Sequence, residues 1–255
     1  MTHPKNDNPG EKDKARDKAR PALTRDAIVT AALEIVDREG LDALSMRRLG
    51  SALEVDPMAI YYHIPNKSAL LDGLMEAVMG EIDLTIDDPS QPAPERIRIA
   101  AHIYHDVLMA HPHAVEVIAV RNLNTPESFR PVEFLLEIFL GAGFSPAQAM
   151  AAVNIFARFV RGYVLSEVQQ MLTDAAANNG CNAFEALQQV LPAEEFPRMH
   201  EVMIDVASFC PEDEFDLGLR ALIRGMFEIA SEPEEQVRSN TTQASEKDEI
   251  YEECE

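Results

Sequence analysis

Four side chains able to hold a phosphate, Tyr61, Tyr62, His63 and Lys67, fall within seven residues, directly behind the run Asp56-Pro57-Met58-Ala59-Ile60. Phenol, imidazole and ammonium groups all hydrogen-bond to phosphate oxygens, so the chemistry they suggest is a grip on a nucleic-acid backbone rather than bond making. The elements that must position them are legible on either side. Asp56 suits a helix N-cap and Pro57 the first helical position, where a missing N–H costs nothing, so a short helix is predicted over residues 57–63 with Ile60 and Ile64 turned inward. Its N-terminal turn is left free to enter a major groove. Ahead of it, Ser45 caps another short helix whose buried stripe is Met46, Leu49 and Leu53 and whose outer face carries Arg47, Arg48 and Ser51. Glu54-Val55 makes the turn between the two, and Asn66 caps the helix that follows. The pair reads as a DNA-gripping helix-turn-helix.

Around this pair the periodicity is helical throughout, and no strand alternation is present. Thr24 caps a first helix carrying Ala27, Ile28, Ala31, Ala32, Ile35 and Val36, which Gly40 ends. Leu70, Leu71, Leu74, Val78 and Ile82 continue as a longer amphipathic helix. The Pro- and Asp-rich segment Thr85 to Pro94 breaks the pattern. Helices are then predicted over about 95–110, 112–122, 126–142, 146–171, 182–206 with a break at Pro192 and Pro197, and 213–230. The fold class is therefore all-α: a disordered arm at 1–22, a DNA-binding domain at 23–67, a connecting helix at 68–84, a linker at 85–94, a helical ligand-binding and dimerisation domain at 95–230, and a disordered acidic tail at 231–255.

A net charge of -22 looks wrong for a protein that meets DNA until it is divided along the chain. Residues 1–67 hold 11 Lys and Arg against 11 Asp and Glu, which leaves 11 against 33 in the remainder. The acid lies away from the proposed DNA face, and the basic residues of the N-terminal arm can follow phosphates. No apolar run is long enough for a membrane span, so a cytoplasmic protein without membrane attachment is expected. Cys181, Cys210 and Cys254 are odd in number, widely spaced and read as reduced thiols.

These residues resemble the tetracycline-repressor (TetR) family of bacterial transcription regulators. Three blocks carry the likeness: Leu23 to Leu74, with Glu39-Gly40-Leu41, Leu44 to Leu49, Ile60 to His63 and Asn66-Lys67; Gly141 to Ala149; and Phe215 to Met226. The resemblance implies a homodimer whose two heads address the halves of a palindromic operator in double-stranded DNA, and which a small-molecule inducer releases. On the matching positions, Ser45, Tyr61, Tyr62, His63 and Lys67 would hold the phosphate backbone, and Arg47, Pro57, Met58 and Ala59 would face base edges. Arg47 alone among these readers hydrogen-bonds to bases, and Met58 and Ala59 offer apolar contact to thymine methyls, so a half-site containing G and T is expected. The chain departs from the family twice. Glu54 stands in the turn where many relatives have glycine. Asp83 and the histidine-poor run Val115 to Arg121 stand where the tetracycline repressor anchors its ligand through histidines, so magnesium-tetracycline is not the expected inducer.

For the ligand pocket the candidates are His102, His105, Met109, Phe134, Asn154 and Arg158. His102, His105 and Asp106 share one helix face with a spacing that resembles a divalent-metal site, but no further ligand stands at a telling distance. A polar pocket edge or interhelical packing is the alternative reading, and neither metal nor cofactor is expected. Arg158 and Arg161 interrupt an apolar helix beside Asn154; a buried charge must be paired, either by an acid across a dimer interface or by an anionic ligand group. The methionines and phenylalanines Met109, Phe134, Phe139, Met150, Phe156, Phe159 and Met171 divide between core and cavity.

No Ser-His-Asp order, phosphate-cradling Gly loop or paired carboxylates suggest catalysis. The expectation is a ligand-responsive DNA-binding regulator, most simply a repressor. The alternative is a helical small-molecule-binding or protein-docking module with a non-functional DNA head, which Arg47→Ala with Tyr61→Phe discriminates by leaving duplex binding untouched.

Overall fold

The computed structural model describes residues 22–177, 190–206 and 211–231. The arm before residue 22, all three cysteines and the acidic tail beyond residue 231 lie outside the described residues. The chain divides into two compact units, residues 1–70 and 71–255.

The first unit is built from helices that begin where local chemistry says they must. Helix α1 (Arg25–Glu39) starts at Thr24, whose Oγ1 accepts from the Ala27 N–H at 3.1 Å, and ends at Gly40, which takes φ +83°. Its buried face is Ile28, Val29, Ala32, Leu33, Ile35 and Val36. Ala27 is exposed and Ala31 half-buried, unlike the expected stripe, because Val29 and Leu33 bury the flank that the larger side chains fill better. A 3-10 turn at Leu41–Ala43 leads to α2 (Met46–Leu53), capped by Ser45, and then to α3 (Pro57–His63), capped by Asp56. Leu44, Leu49, Ile60, Ile64 and Leu70 close this small core, each no more than 1% exposed.

Helix α4 (Lys67–Gly80) begins at Asn66, whose Oδ1 accepts from the Ala69 N–H at 2.8 Å, and the division between the units falls inside it. It stops short of the expected end near Leu84. Beyond Gly80 the chain turns into a 3-10 segment at Leu84–Ile86 instead, where the Asp83 carboxylate accepts from the Thr85 N–H and hydroxyl. The linker is thus not featureless. Asp88 caps its own turn in the same way, and Asp87 pairs with Arg96 at 2.6 Å.

In the second unit, α5 (Ala93–Ala110), α6 (Val115–Val120) and α7 (Pro126–Gly141) pack on the long α8 (Pro146–Ala177), with α10 (Pro211–Ala230) against α5 and α8. Helix α9 (Pro197–Val206) precedes α10. Helix α6 is shorter than the expected 112–122: residues 112–114 form a turn ahead of it, and Arg121 is extended at ψ 147°. Helix α8 runs past the expected Met171 to Ala177, and its Val160, Val164 and Val168 are fully buried. The core of the unit is Ile97, Leu108, Ile118, Phe139 and Phe156, with the rings of Phe144 and Phe227 tilted against Phe139. Among the described residues there is no strand, and no helix is long and apolar enough to cross a membrane.

Candidate nucleic-acid interface and ligand cavity

Helix α3 is held by its cap and by the residue beneath it. The Asp56 carboxylate accepts from the Met58 N–H at 2.8 Å, which fixes the first turn. Under Pro57 lies Gly50: a Cβ there would stand 3.0 Å from the Val55 carbonyl oxygen and 3.2 Å from Pro57 Cγ. The α2–α3 crossing therefore depends on a glycine in α2. The turn itself adopts the left-handed region at Glu54, φ 54° and ψ 40°, so the non-glycine residue accepts the conformation that a glycine takes without strain.

What this scaffold presents is a mostly exposed surface. Met58 is 72% exposed and Tyr62 91%, Tyr61, His63, Lys67, Ser45 and Arg47 are also exposed, and Pro57 and Ala59 are half-buried. Arg47 and Arg48 separate in role. Arg48 donates from Nε and Nη2 to the two carboxylate oxygens of Glu39 on α1, at 3.1 and 2.6 Å, and Arg38 adds a second guanidinium to the same acid. These partners, Arg48 first, hold the Glu39 carboxyl down at about 2. The Arg47 guanidinium has no acid partner among the described residues, and its backbone carbonyl accepts from the Ser51 hydroxyl. Ser45 is spent in part on capping, since its Oγ accepts from the Arg48 N–H at 3.1 Å.

The second unit contains a cavity of about 320 Å³ between α4, α5, α7 and α8 and the connection after α6. Phe134 and Asn154 line it, together with Met150 and Phe156; Tyr104, Arg121 and Arg161 do so as well. Tyr104 continues the Ile97–Ala101–Leu108 stripe of α5, and burial pushes its phenol up to about 12. Arg121 is tied to Asp72 of α4 through Nε at 2.8 Å and through Nη2.

Two matches cover most of the chain: bacterial regulatory proteins of the tetR family over residues 28–74, and the tetracyclin repressor-like C-terminal domain over residues 88–229. The chain belongs to the TetR family. An HTH-type transcriptional regulator from Saccharopolyspora erythraea is 31% identical over 217 residues, spanning 82% of this chain and 86% of the relative. The transcriptional repressor DrrR1 of Streptomyces coeruleorubidus is 26% identical over 81% of this chain and 78% of its own length. The TetR family protein ActR of Streptomyces coelicolor, solved in complex with actinorhodin, superimposes with a TM-score of 0.72 at 26% identity, covering 84% of this chain and 99% of ActR.

In this TetR-family chain the other expected pocket residues lie elsewhere. His102 pairs with Asp216 at 3.3 Å and His105 with Glu167 at 2.9 Å, both rings against Phe215 where α5, α8 and α10 meet. Met109 is half-buried outside the cavity lining, and Arg158 is exposed. Neither arginine of α8 is the buried charge expected from the sequence, since Arg161 is only half-buried. Of the expected methionines and phenylalanines, Phe139 belongs to the core, Phe159 stacks on Phe215 and Met171 is exposed. Among the described residues no group of three His, Cys, Asp or Glu side chains is placed to hold a metal ion.

Sequence reasoning passed over Gly50, Tyr104 and Arg121. Tyr104 had a signal, its register on α5; the other two depend on which segments cross.

Proposed function

We propose that this TetR-family regulator is a repressor that binds a palindromic operator as a homodimer and leaves it when a small molecule occupies the cavity between α4, α5, α7 and α8. The observation that carries the reading is the exposure of Met58 near the start of α3 and of Arg47 on α2, on a capped and glycine-seated scaffold. Arg47 supplies base-edge hydrogen bonds, bidentate to guanine where one is present, and Pro57, Met58 and Ala59 supply apolar contact. Ser45, Tyr61, Tyr62, His63 and Lys67 hold phosphates on either side.

Two features support the ligand half of the reading. The cavity has the size and apolar lining of small-molecule pockets. The relatives include a repressor and a structure holding actinorhodin. Met79 of α4 and Ile82 just beyond it face the cavity, so an occupant acts on the helix that continues into the residue 23–67 head. A ligand shifts the equilibrium only by its differential affinity for the released state, on the order of 5 kcal/mol for a hundred-to-one reversal.

The test is selection of genome fragments by the purified protein at near-physiological salt, with sequencing of what is retained. Enrichment of a two-fold symmetric site, with half-sites about 34–36 Å apart or a multiple of that, is the expected result. Retention that shows no site, or affinity that hardly changes with salt, refutes the reading.

A further inference from the structure

Positive charge is scarce in the acidic part of the chain. Residues 68–255 hold 11 Lys and Arg, and three of these, Arg98, Arg220 and Arg224, line one open groove of about 630 Å³ between the start of α5 and α10. The groove also has an apolar side. Ile223 is buried in it and Phe227 half-buried, while Pro92 and Pro94 are exposed along it.

The three guanidinium groups meet two acids and are not equally spent on them. Arg98 pairs with Glu95 at 2.7 Å and reaches Asp216 at 3.4 Å, and Arg220 takes the other oxygen of Asp216 at 3.1 Å. Both carboxylates of the lining are thereby covered. Arg224 is exposed and has no acid partner among the described residues. Helix α5 opens at Pro92 with no side-chain cap, so the positive end of its dipole adds to the same field. A groove of net positive charge in an otherwise negative unit attracts carboxylates. Its apolar side chains call for more than an ion: the best match is a short segment with apolar residues between acids, since guanidinium forks take carboxylates and rings pack on rings.

The chain itself carries such a segment. Helix α10 ends at Ala230, three residues past Phe227. Residues 231–255 hold nine Asp and Glu against Arg238 and Lys247. Their large apolar side chains are Val237, Ile250 and Tyr251, and the last two stand together in Asp248-Glu249-Ile250-Tyr251-Glu252-Glu253, with two acids on each side. Tyr251 comes twenty residues after Ser231. That contour spans up to about 65–70 Å, whereas Arg220 lies only about 15 Å back along α10 from Ala230. Reach is therefore ample, and the covalent tether gives the segment an effective concentration on the order of mM that an outside peptide lacks.

We propose that Asp248 to Glu253 docks in this groove, with Ile250 and Tyr251 against Ile223 and Phe227 and the flanking carboxylates on Arg224 and Arg220. The groove is then an acidic-peptide site whose occupant belongs to the same chain. Docking neutralises the exposed Arg224, and any outside acidic partner must first displace the segment.

The chain contains no tryptophan, so Tyr251→Trp places a single fluorescent reporter in the full-length protein. Acrylamide should quench it at least threefold less readily than in the same protein unfolded in urea, and the protection should fade as salt screens the ion pairs. Adding Arg224→Glu should bring quenching close to the unfolded level; because Arg224 has no acid partner among the described residues, α10 is expected to survive the change. Should that variant fail to fold, Glu252→Lys with Glu253→Lys reverses the charges from the other side and should expose the reporter equally. A reporter quenched as readily in the native protein as in urea overturns the docking. Protection that both charge reversals leave intact overturns the groove as its place. Protection that fades on dilution overturns docking within one chain and assigns the groove to the same segment of a second copy.

Discussion

Arg48 and Glu39 clasp α2 to α1 through two hydrogen bonds, at 3.1 and 2.6 Å, and this takes Arg48 out of the running as a base reader while its chain neighbour Arg47 stays exposed. Adjacent arginines thus do different work, one in the scaffold and one at its surface. Arg47→Ala is expected to weaken operator binding by about 1–3 kcal/mol and to relax the preference at one base pair without moving the thermal midpoint. Arg48→Ala should lower the midpoint and weaken specific and non-specific duplexes alike. Anisotropy titrations on an operator and a scrambled duplex, with thermal melts, separate the two. Equal behaviour of the variants would remove the distinction.

The same clasp predicts a pH dependence. Glu39 titrates near 4.5 when unpaired and is held at about 2 in the fold, by Arg48 first and Arg38 second. A carboxyl with a lower pKa folded than unfolded stabilises the fold above the unfolded value, and that contribution fades as pH falls from about 4.5 toward about 2. Glu39→Gln should therefore melt below the wild type at neutral pH, with the gap closing steadily below about pH 4.5. A gap that is constant across that window would show that the pair does not couple to proton binding.

The caps of this chain were legible because they are local chemistry. Thr24, Ser45, Asp56 and Asn66 each bond an N–H two or three residues ahead, a distance the sequence itself sets. The inward turn of Ile60 and Ile64 followed from the same register. The pocket was less legible because it depends on the phase of α8 against its neighbours. Arg158 and Arg161 look alike in sequence, yet only Arg161 lies in line with Met150, Asn154 and Ala157 on the face that lines the cavity. His102 and His105 were drawn off by acids on α10 and α8, Asp216 and Glu167, whose approach no spacing along α5 reveals.

Gly50 and Glu54 make opposite predictions from within one turn. Alanine in place of a helix-interior glycine ordinarily stabilises by about 0.5–1 kcal/mol. At Gly50 the new Cβ would press on the Val55 carbonyl oxygen at 3.0 Å, so Gly50→Ala should instead lower the thermal midpoint and reduce operator affinity at least tenfold. At Glu54 the left-handed backbone costs a non-glycine residue about 1–2 kcal/mol, partly offset by the entropy a glycine loses on folding. Glu54→Gly should raise the midpoint slightly and leave affinity intact. Thermal melts of both variants decide it, and a stabilised Gly50→Ala protein would show that the α2–α3 crossing is looser than described.

Asp72 and Arg121 tie α4 to the connection that lines the cavity, and both side chains are under a quarter exposed, at 24% and 22%. Asp72→Asn leaves a partly buried guanidinium without that carboxylate, at a cost of about 1–3 kcal/mol, in the range of hydrogen bonds to charged groups. Arg121→Gln should cost a similar amount, since it strands the acid. The double substitution removes both charges together, so its loss should fall short of the sum of the single losses by at least about 0.5 kcal/mol, the mark of residues in contact. Because the pair joins α4 to the cavity wall, the single variants should also shift the concentration of inducer that releases operator DNA, whereas substitution of the exposed Arg158 should not. Urea unfolding of the four proteins, with DNA release followed by anisotropy, tests both halves. Strict additivity, or identical release curves, would dissociate this ion pair from the switch.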